Sequence, residues 1–221
     1  MRRGITYRAS LIDGFPFIYD IDGNKYHYVT IGTQQWIIEN FRSTKYINGT
    51  AIPNVTLTAD WLAEDGTAGH DGAYCAYDNN TLNISDYGLL YNWYAVANIN
   101  ALAPVGWRVP SDVDMITLLN YSGGTLVAGG KLKETGLKHW IFPNGGATDE
   151  YNFKALPGGY RNNMANQGEF YFKNYYCRFW TSQALHPNSR GFGFSYGDSQ
   201  FSSTYFNRRH GFSIRLMRDV A

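Results

Sequence analysis

The first sustained pattern along the chain begins at Ile18, with a short apolar run to Ile21, a turn at Asp22-Gly23-Asn24, and then Tyr26-His27-Tyr28-Val29-Thr30-Ile31. Asp-Gly between two extended runs predicts a hairpin, because a tight turn needs residues at ease with positive φ. Gly32 and the apolar Trp36-Ile37-Ile38 predict another turn and a third strand. Two helices are expected next. Ser85 can cap a segment in which Leu89, Trp93, Val96 and Ala97 share one face, ending before the turn at Ala103-Pro104-Val105-Gly106. The second starts at Ser111 after Pro110, with Asp112 and Asp114 in its positively polarised first turn and Met115, Ile116, Leu118 and Leu119 as its apolar stripe. Gly123-Gly124 closes it. From Lys131 onward, short apolar pieces around Leu132, Trp140, Phe153 and Leu156 alternate with Gly and Asn turns. At the end, Phe212, Ile214 and Leu216 alternate with Ser213 and Arg215, the period of two that a half-buried strand requires. Helices early and strands late predict an α+β chain.

One stretch departs from this frame. His186 to Ser213 contains seven aromatics, six serines and four glycines but no Ala, Val, Leu, Ile or Met. Interiors are filled by aliphatic side chains that bring no polar atoms to satisfy, so their absence over 28 residues predicts a surface. Disordered segments are poor in aromatics, which argues against disorder. Tyr and Phe for rigid contact area, with Ser, Gly and Asn for adaptable hydrogen bonds, is the composition of a paratope. Phe192, Phe194 and Tyr196 fall on one side of a strand, facing either the core or outward. Phe201, Tyr205 and Phe206 have no aliphatic sequence neighbours and are expected to be exposed.

The remaining numbers mostly exclude. With 221 residues and no linker, a single domain at 18–221 is expected, preceded by an arm or leading strand at 1–17. A formal charge of +1 gives no general pull toward nucleic acid. No apolar run approaches the ~18 residues of a membrane span, and the N-terminus has no secretory h-region. Cys75 and Cys177 can form one bridge or remain two buried thiols. The five His are dispersed, and no HExxH, GxSxG, phosphate loop or CxxC is present. His27, between two Tyr in a strand, is expected to be structural. Residues 44–84 are expected to be loop-like; they gather Asp60, Glu64, Asp65, His70, Asp71 and Asp78 and could hold calcium, but the spacing is not that of an EF-hand, and such residues in Gly-rich loops are usually solvated turn formers. No cofactor is expected.

Six blocks, DIDGNKYHYVTIGTQQWIIENFRSTKY, YGLLYNWYAVAN, GWRVPSD, AGGKLKETGLKHW, ALPGGYR and GFSIRLMRD, resemble in order the Fibrobacter succinogenes major paralogous domain family, from about Asp20 to Asp219. GWRVPSDVDMITLL and GFSIRLMR resemble, more distantly, the formylglycine-generating (sulfatase-modifying factor) group. The resemblance implies a C-type-lectin-like fold: two helices flanking a small twisted antiparallel sheet, paired terminal strands, and long irregular loops presenting a face. It also brings in the variable proteins of diversity-generating retroelements, since adenine-directed mutagenesis of Asn-type codons yields nearly the alphabet of residues 186–210. Where the family typically carries two Cys, this chain has Ala103 and Leu216. That loss, with no signal peptide, favours a phage or cytoplasmically assembled protein, or a cell-surface domain cut from a longer exported chain. No catalytic motif of the formylglycine group surrounds Cys75 or Cys177.

The expected function is therefore recognition rather than catalysis: a receptor-recognition or adhesin-type protein presenting a diversified segment at 186–210. A surface or fimbria-associated adhesin domain without diversification is the alternative, and a formylglycine-generating-like enzyme is disfavoured. Candidate ligand contacts are His186, Asn188, Tyr196, Asp198, Gln200, Phe201, Tyr205, Phe206, Asn207 and His210. The ligand is a protein or a carbohydrate, with no nucleic acid. Oligomeric state is not legible.

Overall fold

The computed structural model describes residues 14–70, 72–163 and 168–220. Most of the expected arm, residues 1–13, lies outside them. The N-terminal hairpin forms as its turn chemistry requires: β1 (Phe17–Tyr19) pairs with β2 (Lys25–Ile31), and β2 with β3 (Gln34–Ile37), all antiparallel. Gly32, between β2 and β3, has φ +60, and a Cβ there would press on the Tyr121 ring. His27 is held by Glu39, whose carboxylate takes its Nδ1 at 2.6 Å and its backbone N–H at 2.8 Å.

The middle of the chain carries α1 (Thr58–Ala63), β4 (Tyr74–Cys75), α2 (Ile84–Tyr87), β5 (Leu90–Tyr91), α3 (Trp93–Ala97), α4 (Asp112–Tyr121) and α5 (Ala128–Leu132). Of the two expected helices, α4 forms as read. Ser111 Oγ accepts from the Asp114 N–H and the Asp114 carboxylate accepts from the Ser111 N–H, a reciprocal capping box. The other does not form. Gly88 stands at φ +68 with its Cα so close to Asn40 and Phe41 that a Cβ would collide with them, and the chain turns out of α2 there. It makes the short strand β5 before the Asn92 side chain caps α3 by accepting from the Ala95 N–H.

Strands dominate the rest: β6 (Gly158–Arg161) pairs with β7 (Phe170–Lys173), while β8 (Tyr176–Leu185), β9 (Asn188–Ser195) and β10 (Ser202–Asn207) form a three-stranded sheet with β9 central. The closing strand β11 (Met217–Asp219) pairs with β3. The two-helix, C-type-lectin-like α+β arrangement is thus corrected. Among the described residues eleven strands in four sheets carry the fold, and the five α-helices are only four to ten residues long.

The C-terminal alternation is also only half realised. Residues 211–217 are buried throughout, so Arg215 does not face water. Its guanidinium donates to Asn40 Oδ1 and to the carbonyls of Ile37, Phe153 and Lys154 and packs against the Phe153 and Phe179 rings. Arg161 is buried the same way, donating to the carbonyls of Val55, Thr56 and Gly168 and lying over Trp61. A buried cation is tolerable only when every donor is met, and these two are met almost wholly by main-chain oxygens.

Candidate functional site

The sheet β10-β9-β8 is built on the alternation Gly191-Phe192-Gly193-Phe194 in its central strand. Its period of two separates the two faces. Phe192 and Phe194 enter the core with Phe179 of β8, and Phe201 stacks on Phe192 at 5.6 Å with ring planes 5° apart. On the opposite face the glycines leave no side chain, so neighbours close in. A Cβ at Gly193 would collide with the Cys177 carbonyl, and one at Gly191 would touch Phe206 and Phe212. Phe206 stands edge-on to Phe212 at 4.8 Å, and Phe212 lies 4.4 Å from the buried Trp180.

This glycine face opens into a groove of about 460 Å³ lined by Tyr160, Asn162, Asn163, Arg178, Tyr205, Phe206, Asn207 and His210. β6 supplies Tyr160, whose ring lies 5.9 Å from Phe212 and 6.3 Å from His210. The Asn207 carboxamide oxygen accepts from Asn163 Nδ2 at 2.8 Å and from the Arg209 N–H at 3.0 Å, tying the β6–β7 connection to the end of β10. His210 closes the same turn through the Asn207 carbonyl. The turn is anchored behind by Trp61 Nε1 donating to the Arg209 carbonyl and by the Trp93 N–H donating to the Arg208 carbonyl. Burial lowers the His210 imidazole below its usual range and raises the Tyr160 phenol. Both are therefore neutral near pH 7, and the groove can offer hydrogen bonds and ring faces.

The ten sequence-predicted contacts do not share one face. Tyr205, Phe206, Asn207 and His210 line the groove, although His210 is buried and Phe206 half-buried. His186 and Asn188 sit at the β8–β9 tip, with Asn188 opposite Asn207 across the sheet. Phe201, expected outside, is 5% exposed, because the chain folds it back onto the Phe192 and Phe194 rings on the core face of β9. Tyr196 packs partly on the core. Asp198 and Gln200 project outward from a loop whose backbone is docked. Gly145 N–H donates to the Tyr196 carbonyl, Gly130 N–H to the Ser199 carbonyl, and buried Lys133 Nζ to the carbonyls of Gly145, Ser195 and Asp198 at 2.7–2.9 Å. Burial draws the Lys133 ammonium down to about 8, against three acceptors that hold its protons.

Sequence reasoning missed Tyr160, Asn162, Asn163 and Arg178. The run Gly-Gly-Tyr-Arg-Asn-Asn at 158–163 shares the Gly, Tyr and Asn enrichment of the later stretch, and was the available signal.

The remaining candidates lie apart from the groove. Cys75 and Cys177 are free, buried in different clusters, with both thiols pushed up to about 12 by burial. Cys177 Sγ faces the core and donates to the Phe194 carbonyl, on the far side of β8 from His210. In the acidic loop, Glu64 is buried and accepts from the Gly72 N–H, while Asp65 accepts from Thr67. Asp71 lies outside the described residues, and among those described no three His, Cys, Asp or Glu side chains gather as a metal-holding group. No described helix is long and apolar enough to cross a membrane.

No curated protein and no solved structure matches the chain. The Fibrobacter succinogenes major domain model matches residues 29–218, and the chain belongs to that family.

Proposed function

We propose that this domain is a non-catalytic recognition module whose ligand enters the groove between the β6–β7 hairpin and β10. The observation that carries this reading is the convergence of Tyr160, Arg178, Phe206 and His210 with three Asn side chains in one concavity. Ring faces give contact area at low entropic cost, and amides both donate and accept, which is the chemistry of an orienting pocket. The nucleophiles that an enzyme reading would need, Cys75 and Cys177, are buried and protonated away from any histidine of the groove. Arrays of glycans and peptides probed with the intact chain and with Phe206→Ala/Asn207→Ala test the proposal. A ligand whose affinity falls at least ~10-fold in a variant that still melts cooperatively well above the assay temperature is the expected result. Ligands indifferent to that change would place recognition elsewhere.

A finer reading, diversification of residues 186–210, is supported by their composition and bounded by their packing. The exposed positions 186, 198, 200 and 202–205 can vary at little cost, whereas Gly191, Phe192, Gly193, Phe194 and Phe201 cannot. Sequencing the surrounding DNA for a near-repeat that differs only at adenines decides it; substitutions scattered over the buried positions would count against it.

A further inference from the structure

The groove does not end at Tyr160. That ring lies 5.9 Å from Phe172 and 6.3 Å from Tyr171 in β7; Phe172 lies 5.2 Å from Tyr176 and 6.4 Å from Tyr175; and Tyr175 stands edge-on to Tyr196 at 5.2 Å. The rings form a continuous ribbon leading out of the groove, with Phe172 46% and Tyr175 37% exposed. Phe172 has φ +62, in the left-handed region that bulky L-residues avoid. A ring left nearly half in solvent recovers only part of the burial that a core Phe gains. Such strain persists where the surroundings over-determine the backbone, and it concentrates at ligand clamps.

We infer that ribbon and groove together bind an extended neutral polysaccharide, with Phe172 as the anchoring ring; this rests on the groove being the recognition site. Three features select that chemistry. Neither the groove lining nor the ribbon contains an aliphatic side chain, and the lining contains no carboxylate. A sugar hydroxyl both donates and accepts, as do the amides of Asn162, Asn163 and Asn207, whereas an anionic chain would call for a cluster of cations where Arg178 stands alone in the lining. Finally, a folded protein partner covers a broad patch of roughly 800 Å² per side, while this surface is a row of rings ending in a cleft, shaped for a chain of repeating units with apolar C–H faces.

Affinity electrophoresis of the intact chain through gels containing dextran, galactomannan, glucomannan or hydroxyethylcellulose, with polygalacturonate as the anionic comparator, tests the inference. At least one neutral polymer should retard the protein, and Phe172→Gly/Tyr175→Ala should weaken that retardation at least ~10-fold. The melting midpoint of Phe172→Gly alone should fall only slightly, since glycine takes positive φ freely and so offsets part of the lost ring packing. If the double variant melts lower, Phe172→Gly alone is scored, with a loss of at least ~3-fold expected. Retardation abolished by Phe206→Ala/Asn207→Ala but untouched by the ribbon variants would overturn the ribbon and leave the groove reading standing. Retardation by polygalacturonate only, or by none of the polymers, would overturn the glycan assignment. The array experiment would then judge the groove separately, and a peptide ligand found there would make the partner a protein.

Discussion

The residues just before and just after Phe201 draw on one alphabet and meet opposite fates. Ser195 to Gln200 and Ser202 to Asn207 are both Ser-rich, aromatic-bearing and free of aliphatics. The first is fastened by its main chain to Gly130, Gly145 and Lys133, while the second is an edge strand whose Ser202–Tyr205 side chains are exposed. The glycines decide. Gly129, Gly130, Gly145 and Gly146 present bare backbone on which another backbone can lie, and a Cβ at Gly129 would strike the Gln200 carbonyl. Composition reports what side chains prefer, whereas docking through carbonyls uses atoms that every residue owns.

The harshest test of this contrast removes the floor beneath the exposed half. Trp180→Ala deletes a fully buried ring that supports Phe212 and donates to the Tyr91 carbonyl, and should cost ~3 to 5 kcal/mol in denaturant melts. A loss under about 1 kcal/mol would mean that the strand does not depend on that core. Next, Lys133→Met leaves three inward-facing carbonyls without their donor and should cost roughly 2 to 4 kcal/mol. Hydrogen exchange at the Gly130 and Gly145 amides should accelerate in that variant while the β9–β10 ladder keeps its protection beyond the global change. Uniform acceleration would erase the distinction between the two halves.

Titration separates them more gently. Burial lowers the folded-state pKa of His210 below the usual 6.5, so just below that value the unfolded chain binds more protons and stability falls as the pH drops. Asp149, raised to about 6 by burial, works in the opposite sense between its ordinary 3.8 and that value, and does so equally in a His210→Phe variant. The wild type should therefore lose stability relative to His210→Phe on going from about pH 7 to 5. Parallel stability curves would show that His210 is not excluded from water. The smallest effect is expected at the surface itself. His186→Ser, Gln200→Ala and Thr204→Ala combined should change stability by less than about 1 kcal/mol, because none of these side chains is buried. A larger loss in the same melts would mean that an outward position contributes to the frame.

What could be read from the chain beforehand follows the range of the forces involved. The hairpin at Asp22-Gly23 and the Ser111–Asp114 cap are decided within a few residues, and sequence alone suffices for them. The helix expected across Gly88 failed on a contact with Asn40, 48 positions away in the chain, and Phe201 was misplaced because the turn after β9 folds it back onto the Phe192 and Phe194 rings, which face the core. Of the candidate contacts, the cluster at 205–210 converges, but its other wall at 160–163 and Arg178 is contributed by strands whose pairing no local pattern announces. Arg215 read as the polar side of an alternation because a charged side chain is normally a solvated one. Only a set of carbonyls assembled from distant segments makes it an interior residue.

Those interior cations have a bearing on how the family can change over time. Arg161, Lys133 and Arg215 grip the loops at 55–56, 195–198 and 153–154 by main-chain oxygens, and a main-chain oxygen survives any substitution of the residue that carries it. A carboxylate partner would be lost with its residue, and a bond of that kind ties two positions to a shared history. For the bond itself the gripped residue is interchangeable, so positions in these loops whose side chains face solvent, such as Asp198, can drift while the grip remains.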